Sequence, residues 1–161
     1  YLPDTTVGKI IPAVLVTAIL LLTLINGLPR KGNSLEESGN EIAAYVQEYT
    51  PDGSIFLTPP DWGDFRLAAR RSIVVDFKAF LFTDQTMEEW YARMLACYGT
   101  TEETGFAMIP ALQQNYRSMT DEKLRDLKQA YGIEFAILYA ETNSALKTLY
   151  QNEEFKLVVV D

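Results

Sequence analysis

Apolar and polar residues follow several different periods along the chain, and the longest apolar run comes first. From Ile10 to Leu28 no residue is charged, and basic residues flank this run on both sides. As a helix with a rise of 1.5 Å per residue, the run would be about 28 Å long, close to the roughly 30 Å hydrocarbon core of a bilayer. The pattern predicts a loop over residues 1–9, a transmembrane helix over 10–29 and a linker over 30–34.

Two alternatives for this run are a signal peptide and a buried helix of a soluble domain. The chain starts with "YLPDTT" instead of a Met and a basic segment, which disfavours a signal peptide. A soluble helix normally keeps a polar face, whereas the polar side chains here are Thr17, Thr23 and Asn26. Since Tyr1 is not Met, the chain is either processed or the last part of a longer protein.

Helical periodicity returns three times after the apolar run. The predicted amphipathic helices cover residues 35–49, 86–98 and 120–132. Thr86 and Thr120 occupy N-terminal capping positions, and Gly132 is a typical helix stop. Residues 99–117 have no clean period and indicate a loop or a short helix.

Strand patterns alternate with these helices and then close the chain. The five candidates are residues 54–58, 72–77, 134–140, 145–151 and 154–161. The last two are separated by "NE", which favours an antiparallel hairpin, whereas the earlier alternation is typical of βαβ units. We therefore predict that residues 35–161 form a compact mixed-sheet α/β sandwich of about five strands after the transmembrane helix.

The loop after the first strand, "TPPDWGDFRLAARR", contains most of the residues that could bind a ligand. In open α/β sheets, ligands bind beyond the carboxyl ends of parallel strands, and this loop begins at such an end. The candidate binding residues of the loop and the strand after it are Thr58, Asp61, Trp62, Asp64, Arg66, Arg70, Arg71, Asp76 and Lys78.

Binding and structural roles are both open for this loop. If the segment is helical, Arg66 and Arg70 are neighbours and could hold a phosphate or carboxylate. In the structural interpretation, which we favour, Asp61 caps a short helix, Asp64 lies in its first turn, and the arginines pair with acids of the same domain.

Composition removes several classes of function. The chain has 22 acidic and 14 basic residues, which disfavours nucleic acid as a partner. It has no histidine and one cysteine, Cys97, so the usual zinc, haem and Ser-His constellations are not expected. We expect no cofactor and no metal, and we expect Cys97 to be a buried structural thiol.

Two further sets of side chains favour structural roles. The acids Glu88, Glu89, Glu102 and Glu103 are interpreted as a solvated face, because adjacent helical carboxylates diverge instead of facing each other across a cleft. The aromatic residues Trp90, Tyr91 and Tyr98 are interpreted as core or rim.

Residues 43–94 resemble a known family in the motifs "FLTPP", "RRS", "VVDFK" and "EWYAR". The resemblance is to the C-terminal globular domain of an uncharacterised family of bacterial polytopic membrane proteins, which look like glycosyltransferases that use lipid-linked sugars (a glycosyltransferase-C-like architecture). It implies an extracytoplasmic α/β tail that follows a last membrane helix. No catalytic residue carries over, because the family domain has no assigned chemistry to match, and in the glycosyltransferase class the catalytic acid lies in an early loop between membrane helices. The matching signature residues are Thr58, Pro59, Arg66, Arg70, Arg71 and Lys78.

Sidedness and function follow from these expectations. Arg30 and Lys31 against Lys9 would place the domain in the cytoplasm, whereas the resemblance places it outside, and we favour the extracytoplasmic side. The expected partners are the lipid bilayer, through Ile10 to Leu28, and a membrane protein. The favoured hypothesis is a membrane-anchored, non-catalytic interaction or accessory domain of a larger assembly. The alternative is the extracytoplasmic tail of a glycosyltransferase-like enzyme that contacts an anionic lipid-linked sugar.

Overall fold

The computed structural model describes residues 34–78 and 83–161. The α-helices of these ranges are α1 (Ser34–Tyr49), α2 (Phe65–Ala69), α3 (Asp84–Tyr98), α4 (Ile109–Arg117) and α5 (Asp121–Tyr131), and a 3₁₀ helix spans Gly105–Met108. The strands are β1 (Ile55–Leu57), β2 (Ser72–Ile73), β3 (Phe135–Tyr139), β4 (Thr148–Gln151) and β5 (Phe155–Val159). The predicted transmembrane segment 10–29 lies outside the described residues. Within them, every helix is too short or too polar to cross a bilayer.

The strands of the described residues form one mixed sheet in the order β2-β1-β3-β5-β4. β1 is parallel to both β2 and β3, whereas β5 is antiparallel to both β3 and β4. The predicted α/β class, the mixed sheet of about five strands and the C-terminal hairpin are confirmed. The carboxyl ends of β1, β2 and β3 consequently lie at one edge of the sheet.

The core is built on the central strands. All five side chains of β3 are buried, and because successive side chains point to opposite faces, both faces of this strand are covered. Tyr116 of α4 is fully buried, and its hydroxyl donates a 2.8 Å hydrogen bond to the carbonyl of Ile137 in β3. The Tyr45 hydroxyl of α1 donates a hydrogen bond to the carbonyl of Leu149 in β4 at 3.3 Å, which connects α1 to the C-terminal hairpin.

Among the three helices predicted from periodicity, the boundaries of α1 and α5 agree with the prediction, and the start of α3 differs. Thr120 caps α5 by accepting from the Lys123 N–H, and Gly132 ends it with φ +71°, both as predicted. The predicted cap of α3 at Thr86 is wrong, because the helix begins one turn earlier. Thr83 accepts from the Thr86 N–H, and the Thr86 hydroxyl accepts in return from the Thr83 N–H, which forms a reciprocal capping box.

β2 is much shorter than the predicted strand over residues 72–77. Val74 still donates to the Phe56 carbonyl at 3.0 Å, but the chain then turns toward α3. Side chains of α3 bond the carbonyls that a longer strand would use: Arg93 donates to Val74 and Trp90 donates to Asp76. The exit of β2, residues 74–78, is therefore held by a helix instead of a strand.

Candidate functional site

The predicted binding loop leaves β1 at the carboxyl edge of the sheet, where its first residues are buried. Thr58 is 2% exposed, and its carbonyl accepts the hydroxyl of Tyr98 at 3.0 Å. Asp61 is exposed and accepts a 2.9 Å hydrogen bond from Gln113 of α4. Trp62 stacks on Phe155 with ring centroids 4.9 Å apart. These contacts close the domain over the end of β1.

The short helix α2 starts and ends differently from the prediction. Its N-cap position is Asp64 instead of Asp61, and the Asp64 side chain makes no capping hydrogen bond. Arg70 follows the helix in the left-handed region, with φ +51°. Since α2 ends at Ala69, Arg66 and Arg70 do not lie on one continuous helix. The predicted binding of one anion by both arginines required such a helix.

Arg71 is a buried structural residue. Its side chain is 4% exposed and donates to the carbonyls of Gln47 and Thr50, at 2.9 and 2.6 Å, and to the Thr50 hydroxyl at 3.2 Å. An ion pair of 2.9 Å joins it to the exposed Asp52. Because the last carbonyls of a helix lack intrahelical partners, Arg71 caps the C-terminus of α1 and secures it to the start of β2.

Arg66 and Lys78 line cavities on either side of the β2 exit. The first cavity, which we name the arginine cleft, has a volume of about 220 Å³. Its lining residues are Arg66, Ile73, Val74, Val75, Asp76, Thr86, Glu89, Trp90 and Arg93. It is a polar cleft, with two guanidinium groups and two carboxylates on its walls.

Hydrogen bonds between α3 and the β2 exit shape this cleft. Trp90 Nε1 donates to the Asp76 carbonyl at 2.8 Å, and Arg93 Nη1 donates to the Val74 carbonyl at 3.3 Å. The Asp76 side chain is 7% exposed, lies 4.0 Å from Arg66 Nε, and accepts the Lys78 N–H at 2.9 Å. The cleft thus places side chains from α2 and α3 beside one buried carboxylate.

The second cavity, which we name the apolar pocket, has a volume of about 540 Å³. It lies between α3, the β2 exit, the 3₁₀ helix and α4. Its lining residues are Phe77, Lys78, Trp90, Tyr91, Met94, Leu95, Gly99, Thr101, Glu102, Glu103, Thr104, Gly105, Phe106, Met108 and Leu112. Phe77 contacts both Trp90 and Phe106, with ring centroids 6.4 and 5.9 Å apart.

The mouth of the apolar pocket carries exposed aromatic rings. Phe106 is 70% exposed and Tyr91 is 52% exposed. Trp90 lines both cavities, and the chain neighbours Asp76 and Phe77 line one each. The two cavities therefore adjoin across Trp90, and together they offer a polar and an apolar compartment.

The acids of the predicted solvated face separate in the structure. Glu88 and Glu89 lie on α3, where Glu89 lines the arginine cleft, whereas Glu102 and Glu103 lie in the loop beside the apolar pocket. Within residues 34–78 and 83–161, His, Cys, Asp and Glu side chains form no group that could hold a metal ion.

The strongly perturbed titratable groups are buried in the core and line neither the arginine cleft nor the apolar pocket. Burial raises the pKa of the Cys97 thiol to about 12, as expected for a structural thiol. Burial also raises the pKa of Tyr139 to about 12 and moves those of Tyr98 and Tyr116 well above the ordinary value. These groups stay protonated at neutral pH, and the hydroxyls of Tyr98 and Tyr116 donate to the carbonyls of Thr58 and Ile137.

A comparison with protein families finds a match that covers the first part of the α/β domain. Residues 37–97 match the family model of a domain of unknown function, DUF6798. The DUF6798 segment runs from α1 into α3 and contains every residue that lines the arginine cleft. The apolar pocket extends beyond it, because Phe106, Met108 and Leu112 lie outside the match. No curated protein matches the chain.

The DUF6798 match confirms that part of the chain has a domain of an uncharacterised family. Bacterial origin, a polytopic membrane context and glycosyltransferase-like architecture stay predictions. Within the matched segment, sequence reasoning missed Arg93. The available signal was its spacing, since Arg93 stands three residues after Trp90 and four after Glu89, and so shares one helical face with both.

Proposed function

We propose that this chain is a membrane-anchored, non-catalytic interaction domain and an accessory subunit of a larger membrane protein assembly. In this proposal residues 10–29 hold the chain in the bilayer and the α/β domain faces the extracytoplasmic side. The observation that carries the interaction role is the open apolar pocket with Phe106 at its mouth. The occupant is an apolar side chain of a membrane-protein partner.

The physical support is the character of the lining. Contact between water and an exposed aromatic side chain is unfavourable. Burial of one Phe side chain in an interface therefore contributes about 1.5–3 kcal/mol to the binding free energy. Interfaces obtain much of their affinity from a few aromatic anchors that fill such pockets. Phe106 and Tyr91 offer this surface, and Lys78, Glu102 and Glu103 supply a polar rim that can set orientation.

Purification of the intact chain from its membrane in mild detergent tests the proposal. Phe106→Ser removes the ring at the mouth of the pocket, and Leu67→Ser is the matched control. Leu67 is 78% exposed on α2 and lines neither cavity. We expect wild type and L67S to retain the same identified partner, and F106S to bind it about tenfold more weakly or worse.

Two results would contradict this function. Wild-type chain that elutes alone as a monodisperse species has no stable partner. Equal retention of the partner by F106S and L67S shows that the partner binds elsewhere. The melting temperatures of both variants should match that of wild type, since each change replaces an exposed side chain.

The second candidate is the tail of a glycosyltransferase-like membrane enzyme that contacts an anionic lipid-linked sugar. The observation that favours it is the arginine cleft beside the apolar pocket, since an anionic amphiphile has both a charged and an apolar part. The coding sequence upstream of Tyr1 separates the two candidates. Several preceding membrane helices favour the enzyme tail, and a start codon close upstream favours the accessory subunit.

A further inference from the structure

Two guanidinium groups from different helices face the arginine cleft. Among the described residues, Arg66 has a single loose contact, 4.0 Å from Asp76, and Arg93 donates one hydrogen bond, to the Val74 carbonyl. A guanidinium carries five N–H donors in a planar fork. Within the described residues, most N–H donors of both arginines therefore have no protein acceptor. The two side chains contact Asp76 and Val74, which are two residues apart in the chain, so both guanidinium groups lie at the β2 exit.

The carboxylates of the cleft leave room for an anion. Asp76 already accepts the Lys78 N–H at 2.9 Å, and its side chain is 7% exposed. Glu89 is exposed on α3 and accepts from Gln85 at 3.4 Å. Solvent screens Glu89, and the Asp76 side chain is nearly buried whereas that of Arg66 is half-exposed, so a small ligand reaches the guanidinium donors more easily than the Asp76 carboxylate.

We propose that the arginine cleft binds a phosphate monoester group. A phosphate monoester carries roughly −1.5 to −2 charges and three acceptor oxygens, which suits two arginine forks, whereas a carboxylate is satisfied by one. The cleft volume of about 220 Å³ fits a small polar group more closely than a whole drug-sized ligand, which takes about 300–1,000 Å³. The cleft also lies beyond the carboxyl end of a parallel strand, where α/β sheets bind ligands. This inference does not rest on the proposed interaction function.

The test is a titration of the full chain, kept in a nonionic detergent, with inorganic phosphate at constant ionic strength. The chain has two tryptophans, so two indole N–H signals report the binding by NMR. The Trp90 N–H is bonded to Asp76 in the cleft wall and should shift in a saturable way. Arg66→Gln and Arg93→Gln should each weaken the apparent Kd about tenfold or more.

Arg125→Gln is the matched control, because Arg125 is half-exposed on α5, pairs with Asp161 and lines neither cavity. R125Q should titrate like wild type. Arg66→Lys and Arg93→Lys keep the positive charge but lose the planar guanidinium donors, so each should lose part of the affinity for phosphate. They keep the test decisive if a Gln variant fails to fold.

Soluble lipids separate the two sources of a phosphate monoester. Dihexanoyl phosphatidic acid that binds tighter than inorganic phosphate identifies a lipid headgroup, and equal affinity identifies a free phosphate group. Dihexanoyl phosphatidylcholine, a phosphodiester, should not bind. The proposal is overturned if the Trp90 signal does not saturate with either monoester, or if R66Q and R93Q bind as R125Q does.

Discussion

At the residue scale, adjacent arginines have opposite environments. Arg70 is exposed with φ +51°, whereas the side chain of Arg71 is 4% exposed and bonded to the end of α1. The two are equivalent in composition and charge. Their difference arises from partners more than twenty residues earlier in the chain, Gln47 and Thr50.

Arg71→Ala should destabilise the domain by about 3 kcal/mol. The substitution leaves the buried carbonyl of Thr50 and the partly buried carbonyl of Gln47 without their donor, and it removes the cation from the C-terminus of α1. Urea denaturation of the intact chain in detergent, followed by circular dichroism, measures the change.

Arg70→Ala is the neighbouring control and should change the free energy of unfolding by less than about 1 kcal/mol, because Arg70 is exposed. Equal effects of R70A and R71A would show that the buried network contributes little.

At the element scale, α1 owes its position to a glycine. A Cβ atom built on Gly39 would lie 3.0 Å from the indole of Trp62. Trp62 cannot move away easily, because it also packs on Phe155 and Phe65, with ring centroids 4.9 and 5.2 Å away. Gly39 has a low helix propensity, but its missing side chain lets α1 pack closely against Trp62.

Gly39→Ala should destabilise the protein by about 1 kcal/mol despite the higher helix propensity of alanine. In a Trp62→Ala background the clash is absent, so the same substitution should stabilise by up to about 1 kcal/mol. Urea midpoints of the four proteins of this double-mutant cycle measure both effects. A stabilising effect in both backgrounds would mean that Trp62 does not constrain α1.

Elements with a clear period or cap were predictable, and the cavities were not. The period of α1 and the Thr120 and Gly132 signals of α5 are local, so the sequence contains them. Thr83 and Thr86 both resemble caps, and hydrogen bonding across the first turn selects Thr83. The apolar pocket depends on residues 99–108, which lack a period, and the arginine cleft depends on Arg93 reaching Val74 across the fold.

At the scale of the whole molecule, one buried thiol and three buried tyrosine hydroxyls make stability depend on alkaline pH. Burial raises the pKa of Cys97 and Tyr139 to about 12, and it raises those of Tyr98 and Tyr116 well above the ordinary tyrosine value. In the unfolded chain a Cys ionises near pH 8.5 and a Tyr near pH 10. The unfolded state therefore loses these protons first, so stability is complete below about pH 8 and falls as the pH rises.

We expect the free energy of unfolding to fall by about 1.4 kcal/mol per pH unit above about pH 9 from Cys97 alone, and more steeply once tyrosines ionise. Urea titrations between pH 7 and pH 11 measure this slope. Cys97→Ala should make the slope shallower between pH 9 and pH 10, because the variant lacks the thiol that ionises first in the unfolded chain. A flat profile for wild type would contradict the burial of these groups.

The placement of β1 between β2 and β3 has a consequence for biosynthesis. β3 leaves the ribosome only after residue 139 has been made, long after β1 and the rest of the DUF6798 segment. Until then the nascent chain holds β1 with one edge unpaired, and an open edge is a template for pairing with other chains. Because β3 is the strand that covers this edge, we expect the DUF6798 segment to depend on translation through residue 139 before the open edge of β1 is paired.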